Sequence, residues 1–285
     1  MTLTPMHQLV AHAREAHRGI GAFNVITLEH AEAIVRGGEE AGLPVVVQLS
    51  ENTVDYHGSL APLALACLRL AEKSLVDVCV HLDHATRPDL VKEGVALGIP
   101  SVMVDASTLA YDDNVRLTRE LTRWCHDRGV WVEAELGEVG GKDGVHHPAA
   151  RTDPQEAVIY VADTGVDALA VAVGSSHAMA VREAVLDDAL IERIATRLGV
   201  PLVLHGSSGV DDGGLARAVQ HGMVKVNIAT HLNALMTAAV RQALAADPHL
   251  VDPRRYLGPG RGAVAVEVTR LLRVLDPGRR VEASE

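Results

Sequence analysis

Val80-His81-Leu82-Asp83-His84-Ala85 closes a short apolar run, Val76 to Leu82, with an acid and an imidazole. A run of this length bounded by polar groups reads as a buried strand that ends at Leu82. Side chains alternate along a strand, but at its C-terminal tip two neighbours can reach one cleft. One of the pair can hold a metal ion while the other moves a proton.

The same pattern repeats on both sides of this stretch. Upstream, Gly21 to Val25 is a strand ending at Asn24, and Pro44 to Leu49 is a strand ending at Ser50. Downstream come Ser101 to Val104 ending at Asp105, Val130 to Glu135, and Asp167 to Val173 leading to His177. Pro201 to Leu204 ends at His205, and Met223 to Val226 ends at Asn227. Helical periodicity fills the gaps: Thr4 to His17, with Thr4 as cap and Pro5 in the first turn, Leu28 to Gly42, Ala61 to Lys73, Asp89 to Leu97, and Asp113 to Arg128. A helix starts at Asp153 after the glycine-rich stretch 137–150. Others run Asp187 to Leu198 and Asp211 to His221, and two more, Leu232 to Ala246 and Arg261 to Leu275, close the chain.

Strands alternating with helices, without a linker-like shift in composition, predict an α/β fold: a (β/α)8 TIM barrel with extra C-terminal helices. It occupies residues 1–285 as one domain, with 276–285 a frayed tail. The rival is an open doubly wound sheet. A dinucleotide-binding sheet of that kind needs a Gly-x-Gly-x-x-Gly turn after its first strand, and the Gly21 region has none.

Composition narrows the function. The chain has 285 residues, a net charge of −11, 48% hydrophobic and only 2% aromatic residues. The core is therefore aliphatic, and no Lys/Arg run offers a face to nucleic acid or an anionic membrane. No stretch approaches the ~20 apolar residues that span a bilayer. Residues 1–18, broken by His7, His12, Arg14, Glu15 and His17, do not read as a signal peptide. Cys67, Cys79 and Cys125 show no metal or redox spacing and read as reduced, buried thiols, so a cytoplasmic location is expected.

In a barrel the strand ends Asn24, Ser50, Asp83, His84, Asp105, Glu135, His177, His205 and Asn227 converge on one mouth, where active sites of this architecture sit. Taken singly, each histidine is more often a packed core residue. Together, His84, His177 and His205 form a candidate triad for a divalent metal. Neutral imidazoles hold Zn²⁺ at about 2.0–2.1 Å, and three protein ligands leave a position for substrate. Gly206-Ser207-Ser208-Gly209 and Asn227-Ile228-Ala229-Thr230 follow the seventh and eighth strands, where barrels commonly bind phosphate through backbone N–H groups and a helix N-terminus.

At these positions the chain resembles the class II, zinc-dependent ketose-bisphosphate aldolases, in the branch of the shorter fructose- and tagatose-bisphosphate enzymes. The matching stretches are Gly-Ala-Phe-Asn-Val (21–25), Pro-Val-Val-Val-Gln-Leu-Ser (44–50), His-Leu-Asp-His (81–84), Val-Asp-Ala-Ser (104–107) and Val-Glu-Ala-Glu-Leu-Gly (132–137). They continue with 164–177, Pro-Leu-Val-Leu-His-Gly (201–206), Lys-Val-Asn-Ile-Ala-Thr (225–230) and Asp-Pro-Arg (252–254), in order across nearly the whole chain.

The resemblance implies His84, His177 and His205 as zinc ligands and Asp83 as catalytic acid/base. It implies Asn24, Ser50, Gly206 to Ser208 and Asn227 to Thr230 at the dihydroxyacetone phosphate end, with Asn227 also holding the enediolate oxygen. It links Asp105 and Glu135 to a second metal site, admits a monovalent cation beside Zn²⁺, and places Arg254 on the distal phosphate of a neighbouring subunit, hence a homodimer or homotetramer. Departures are visible too. Ala178, a candidate substrate contact through its N–H, stands where glycine is usual, and Ser207 where glycine is frequent. The loop Gly140-Gly141-Lys142-Asp143-Gly144 leaves Asp143 as the candidate to move the C3 proton. None of Lys73, Lys92, Lys142 and Lys225 lies on the sixth strand, where Schiff-base barrel aldolases place theirs, and Lys225 reads as structural.

The function expected is thus reversible cleavage of a ketose 1,6-bisphosphate, fructose or tagatose, to dihydroxyacetone phosphate and glyceraldehyde 3-phosphate. The alternatives are a related aldolase acting on another ketose, or a non-catalytic metal-binding barrel.

Overall fold

Short aliphatic strands ending in polar residues and separated by amphipathic helices give a sheet that closes on itself. The computed structural model describes residues 3–136, 151–175 and 183–278. Its first half runs α1 (Met6–Glu15), β1 (Ile20–Asn24), α2 (Leu28–Ala41), β2 (Val45–Ser50), α3 (Glu51–His57), α4 (Ala61–Lys73), β3 (Val78–Ala85), α5 (Pro88–Ala96) and β4 (Ser101–Val104). Then follow α6 (Tyr111–His126), β5 (Trp131–Glu135), α7 (Pro154–Thr164), β6 (Ala168–Ala170), α8 (Asp188–Ala195), β7 (Leu202–Leu204), α9 (Asp212–Gln220), β8 (Met223–Ile228), α10 (Thr230–Ala246) and α11 (Pro253–Val274). Each strand pairs in parallel with the next, and β8 pairs back on β1, which closes an eight-stranded barrel. The expected α/β barrel and its extra C-terminal helices are both present. No helix among the described residues is long and apolar enough to cross a membrane.

Register sorts the side chains into two sets. Val45, Val47 and Leu49 of β2 lie beside Val78, Val80 and Leu82 of β3 and pack outward against the helices. Val46, Gln48 and Ser50 lie beside Cys79, His81 and Asp83 and point into the barrel. The inward set is apolar at the base, where Ile20, Ala22, Val46, Cys79, Trp131 and Val203 meet Met6 and Leu9 of α1. It turns polar going up, through buried Gln48, His81, Glu133 and Lys225. Cys67, Cys79 and Cys125 are buried free thiols.

Several local expectations are corrected. Thr4 does not cap α1: the N-cap is Pro5, and the Thr4 hydroxyl donates to Asp77 at 2.8 Å. β3 runs past Leu82 to Ala85, whereas β6 stops at Ala170, short of Val173. The helix α3, unread in the sequence, follows β2, with the Ser50 hydroxyl accepting from the Thr53 N–H as its cap. α11 starts at Pro253, not Arg261, because Asp252 caps it and it continues through Pro259.

Candidate active site

The pairing of β3 with β4 slips by one residue. Leu82 lies opposite Val102 but Ala85 opposite Val104, so one extra residue is accommodated on β3. His84 sits in this bulge with φ +49°, a left-handed conformation that costs a residue with a side chain ~1–2 kcal/mol. Strict alternation would turn His84 away from the face that Asp83 shares. The bulge instead brings the His84 ring to 4.7 Å (centroid to centroid) from the ring of His205. Ligand atoms of Asp83, His84 and His205 all lie within 4.8 Å of one another, as do those of His84, Asp105 and Glu135. The two groups share His84, so the Asp105/Glu135 pair lies beside the first group and not at a separate place. His177, Ala178 and Asp143 lie outside the described residues.

Each imidazole is held from behind by a carboxylate. His84 Nδ1 meets Asp105 at 2.7 Å, and His205 Nε2 meets Glu133 at 3.0 Å. Such contacts fix ring orientation, as carboxylates behind metal-binding histidines do. Burial alone would lower His84, but Asp83, Asp105 and Glu135 outweigh it and raise the imidazole to about 10. Burial would likewise raise Asp105, yet its contacts to His84 and Ser107 hold it well below the usual carboxylate range. For Glu135, burial dominates, aided by Asp105, Glu133 and Asp83 and opposed by His84, and the carboxyl is pushed up to about 8. Carboxylates at this density around two imidazoles suit a divalent cation, and an N/O donor set of this kind fits zinc.

Asp83, 2% exposed, accepts from three side-chain amides: Asn24 at 3.1 Å, Gln48 at 3.4 Å and Asn227 at 3.2 Å. Gln48 also donates to Asn24 Oδ1 at 2.7 Å, so the three amides and the carboxylate form one connected array. Its carboxylate opens on a cavity of about 410 Å³ lined by Asn24, Ser50, His84, Gly206 to Ser208, Asn227, Ala229 and Thr230. Ile228 is not part of that lining; its side chain is 2% exposed and packs among the outward-facing core. Arg254 stands elsewhere, with an 89% exposed side chain bonded to Asp252.

The far wall of the cavity is built from the loops after β7 and β8. Gly206, at φ +65°, leads into a 3₁₀ turn, Ser207–Gly209, and the Ser207 hydroxyl donates to the Asn227 carbonyl. The loops after β7 and β8 are thereby tied together. α10 starts at Thr230 after Ala229, which has no capping side chain, and the His231 N–H in its first turn donates to the Ser208 hydroxyl at 3.4 Å. Behind it, Glu267 accepts from Arg270 and pairs with His231 at 2.7 Å, and Arg270 continues to Asp212 at the start of α9. Burial would raise Glu267, but the Arg270 and His231 contacts outweigh it and hold the carboxyl down to about 2. A depressed acid contributes stability above its unfolded value and loses it on protonation. That contribution should be present above the ordinary glutamate value, about 4.3, and vanish as pH falls toward 2. Thermal midpoints of the parent and Glu267→Gln should therefore differ at pH 6 and converge toward pH 2; parallel curves would refute the assignment.

Two residues of the array were not singled out in the sequence: Glu133 beneath His205, and Gln48 beside Asn24. Both stand two positions before a residue that was, Glu135 and Ser50. The alternation of a strand was the signal that could have found them.

Over residues 4–278 the chain matches the family model described as fructose-bisphosphate aldolase, class II. A fructose-bisphosphate aldolase of Geobacillus stearothermophilus is 38% identical over 277 residues, covering 96% of each chain. One of Giardia intestinalis is 36% identical over 290 residues, covering 93% of this chain and 90% of the relative. Among solved structures, the YdjI aldolase of Escherichia coli K12 superposes with a TM-score of 0.84 at 28% identity, covering 96% of this chain and 97% of that one.

Proposed function

The chain belongs to the class II fructose-bisphosphate aldolase family, and on that premise we propose a zinc-dependent enzyme that reversibly cleaves a ketose 1,6-bisphosphate to dihydroxyacetone phosphate and glyceraldehyde 3-phosphate. The observation that carries this reading is the bulge at Asp83 and His84. It sets a proton-transfer group and a metal ligand side by side, within 4.8 Å of a second imidazole, His205. His84 and His205, with His177 from outside the described residues, would hold the ion. Zinc bound there supplies a Lewis acid for the ketone oxygen, where negative charge develops on cleavage.

The protein's own groups do the rest. Asp83 takes the proton of the C4 hydroxyl as the C3–C4 bond breaks, so that C4 leaves as an aldehyde and the electron pair stays on the C3 side as an enediolate. In condensation it returns the proton. Its amide donors, Asn24, Gln48 and Asn227, aim the carboxylate. An amide carries two N–H groups, and the second of Asn227 can donate to the enediolate oxygen. The turn Ser207–Gly209 and the start of α10, joined to it by the His231 N–H on the Ser208 hydroxyl, would offer N–H and hydroxyl groups to the phosphate of the dihydroxyacetone end. Asp143 is the candidate to protonate C3. Exposed Arg254 would serve the distal phosphate across a subunit interface, in a homodimer or homotetramer.

The test is a cleavage assay with fructose and tagatose 1,6-bisphosphates, with and without a chelator. Activity on at least one, abolished by chelation and restored by Zn²⁺, is expected. Cleavage that survives chelation rules the mechanism out, and a zinc-loaded protein that turns over neither epimer moves the assignment to another ketose.

A further inference from the structure

Beneath the candidate metal site lies a charged residue that the reaction does not touch. Lys225 of β8 is 1% exposed, and its Nζ donates to Glu133 Oε2 at 2.8 Å. Glu133, itself fully buried, gives its other oxygen, Oε1, to His205 Nε2 at 3.0 Å. A buried ion pair is seldom the cheapest way to fill a core, because apolar residues of the same volume often stabilise as well or better. Its presence in the barrel interior, one level below the strand tips, calls for another account.

The geometry supplies one. The two oxygens of Glu133 are divided between two partners, and rotating the carboxylate would break both contacts at once. His81 does not compete: its Nδ1 is bonded to Ser101 at 2.7 Å, and its Nε2 stays 3.8 Å from Glu133. With Oε2 taken up by Lys225, Oε1 of Glu133 faces His205 Nε2 as an acceptor, and the other ring nitrogen, Nδ1, lies on the side of Glu135, 3.9 Å away. We propose that Lys225 and Glu133 are a positioning pair, Lys225 acting through Glu133 to fix the tautomer and orientation of His205 for the cation. This rests on the metal-dependent reading above. Lys225 is then no Schiff-base nucleophile but the anchor of a three-residue stack, Lys225–Glu133–His205.

The experiment measures the zinc affinity of the full-length parent, Lys225→Met and Glu133→Gln by competition with a chromophoric chelator, together with kcat, KM and the thermal midpoint of each metal-free protein. Both variants should bind zinc about 10–100-fold more weakly, the range found for partners behind metal-bound histidines. The deficit in kcat should shrink at saturating zinc, while KM for the bisphosphate stays near the parent value. A lowered midpoint with unchanged zinc affinity would reduce the pair to a structural role and overturn the inference. ¹⁵N NMR of the metal-free parent supplies a readout that needs no variant to fold: His205 should carry its proton on Nε2, and a proton on Nδ1 would overturn the inference equally. A parent that takes up no zinc at all would instead refute the reading on which it rests.

Discussion

Asp83→Ala should lower kcat for cleavage by about 10²–10⁴-fold, the usual contribution of a positioned acid/base, while the protein keeps its zinc. The expectation comes from how the carboxylate is held. Both oxygens already accept from side-chain amides, Oδ1 from Asn227 and Oδ2 from Asn24 and Gln48. That arrangement aims an acceptor into the cavity and suits a base better than a ligand. Yet Asp83 also stands within ligand distance of His84 and His205, so its two possible roles make opposite forecasts for the metal. Zinc per chain near the parent value with kcat down assigns Asp83 to proton transfer. Zinc lost together with activity would make it a ligand. KM should move less than kcat, because proton transfer at C4 belongs to the transition state and not to the ground state. Some stability should be lost too, since three amides lose their common acceptor. Asn24 and Gln48 retain each other at 2.7 Å, which limits that loss.

The barrel and most of its mouth could be read from the chain because both follow from alternation. Aliphatic runs such as Val45–Leu49 stop at a polar residue, and in a barrel every such stop faces the same cleft. What escaped was set by contacts distant in sequence. α3 is short and polar, with only Thr53 and Val54 buried, so it carries no apolar period. The start of α11 was hidden by Gly258, Pro259, Gly260 and Gly262, residues that read as a break. Gly260 is there for packing: a Cβ at that position would come within 2.3 Å of the Met236 sulfur on α10. The role of Glu133 depends on partners 72 and 92 residues away. The bulge in β3 left no mark, because the left-handed position that usually advertises itself with a glycine is filled by His84.

That last substitution of histidine for the easier glycine leads to the sharpest separation of strain from function. Two replacements of His84, by glycine and by alanine, should both abolish high-affinity zinc binding and lower cleavage by about 10³-fold or more. The loss is that of a Lewis acid worth several kcal/mol, at tenfold per 1.36 kcal/mol. Both remove the same contacts, the hydrogen bond to Asp105 and the ring packing on His205. They differ only in the backbone. At φ +49° alanine keeps the Cβ that makes this region unfavourable, and glycine does not. The metal-free glycine variant should therefore be more stable than the alanine variant by about 1–2 kcal/mol, a few degrees in thermal midpoint. Equal midpoints would mean that the bulge relaxes once the imidazole is gone, so that the ring holds the backbone in place. A gap of the expected size would mean that the barrel imposes the strained conformation whether or not the imidazole is there, and with zinc binding lost in both variants it would set that cost against the ion His84 would hold.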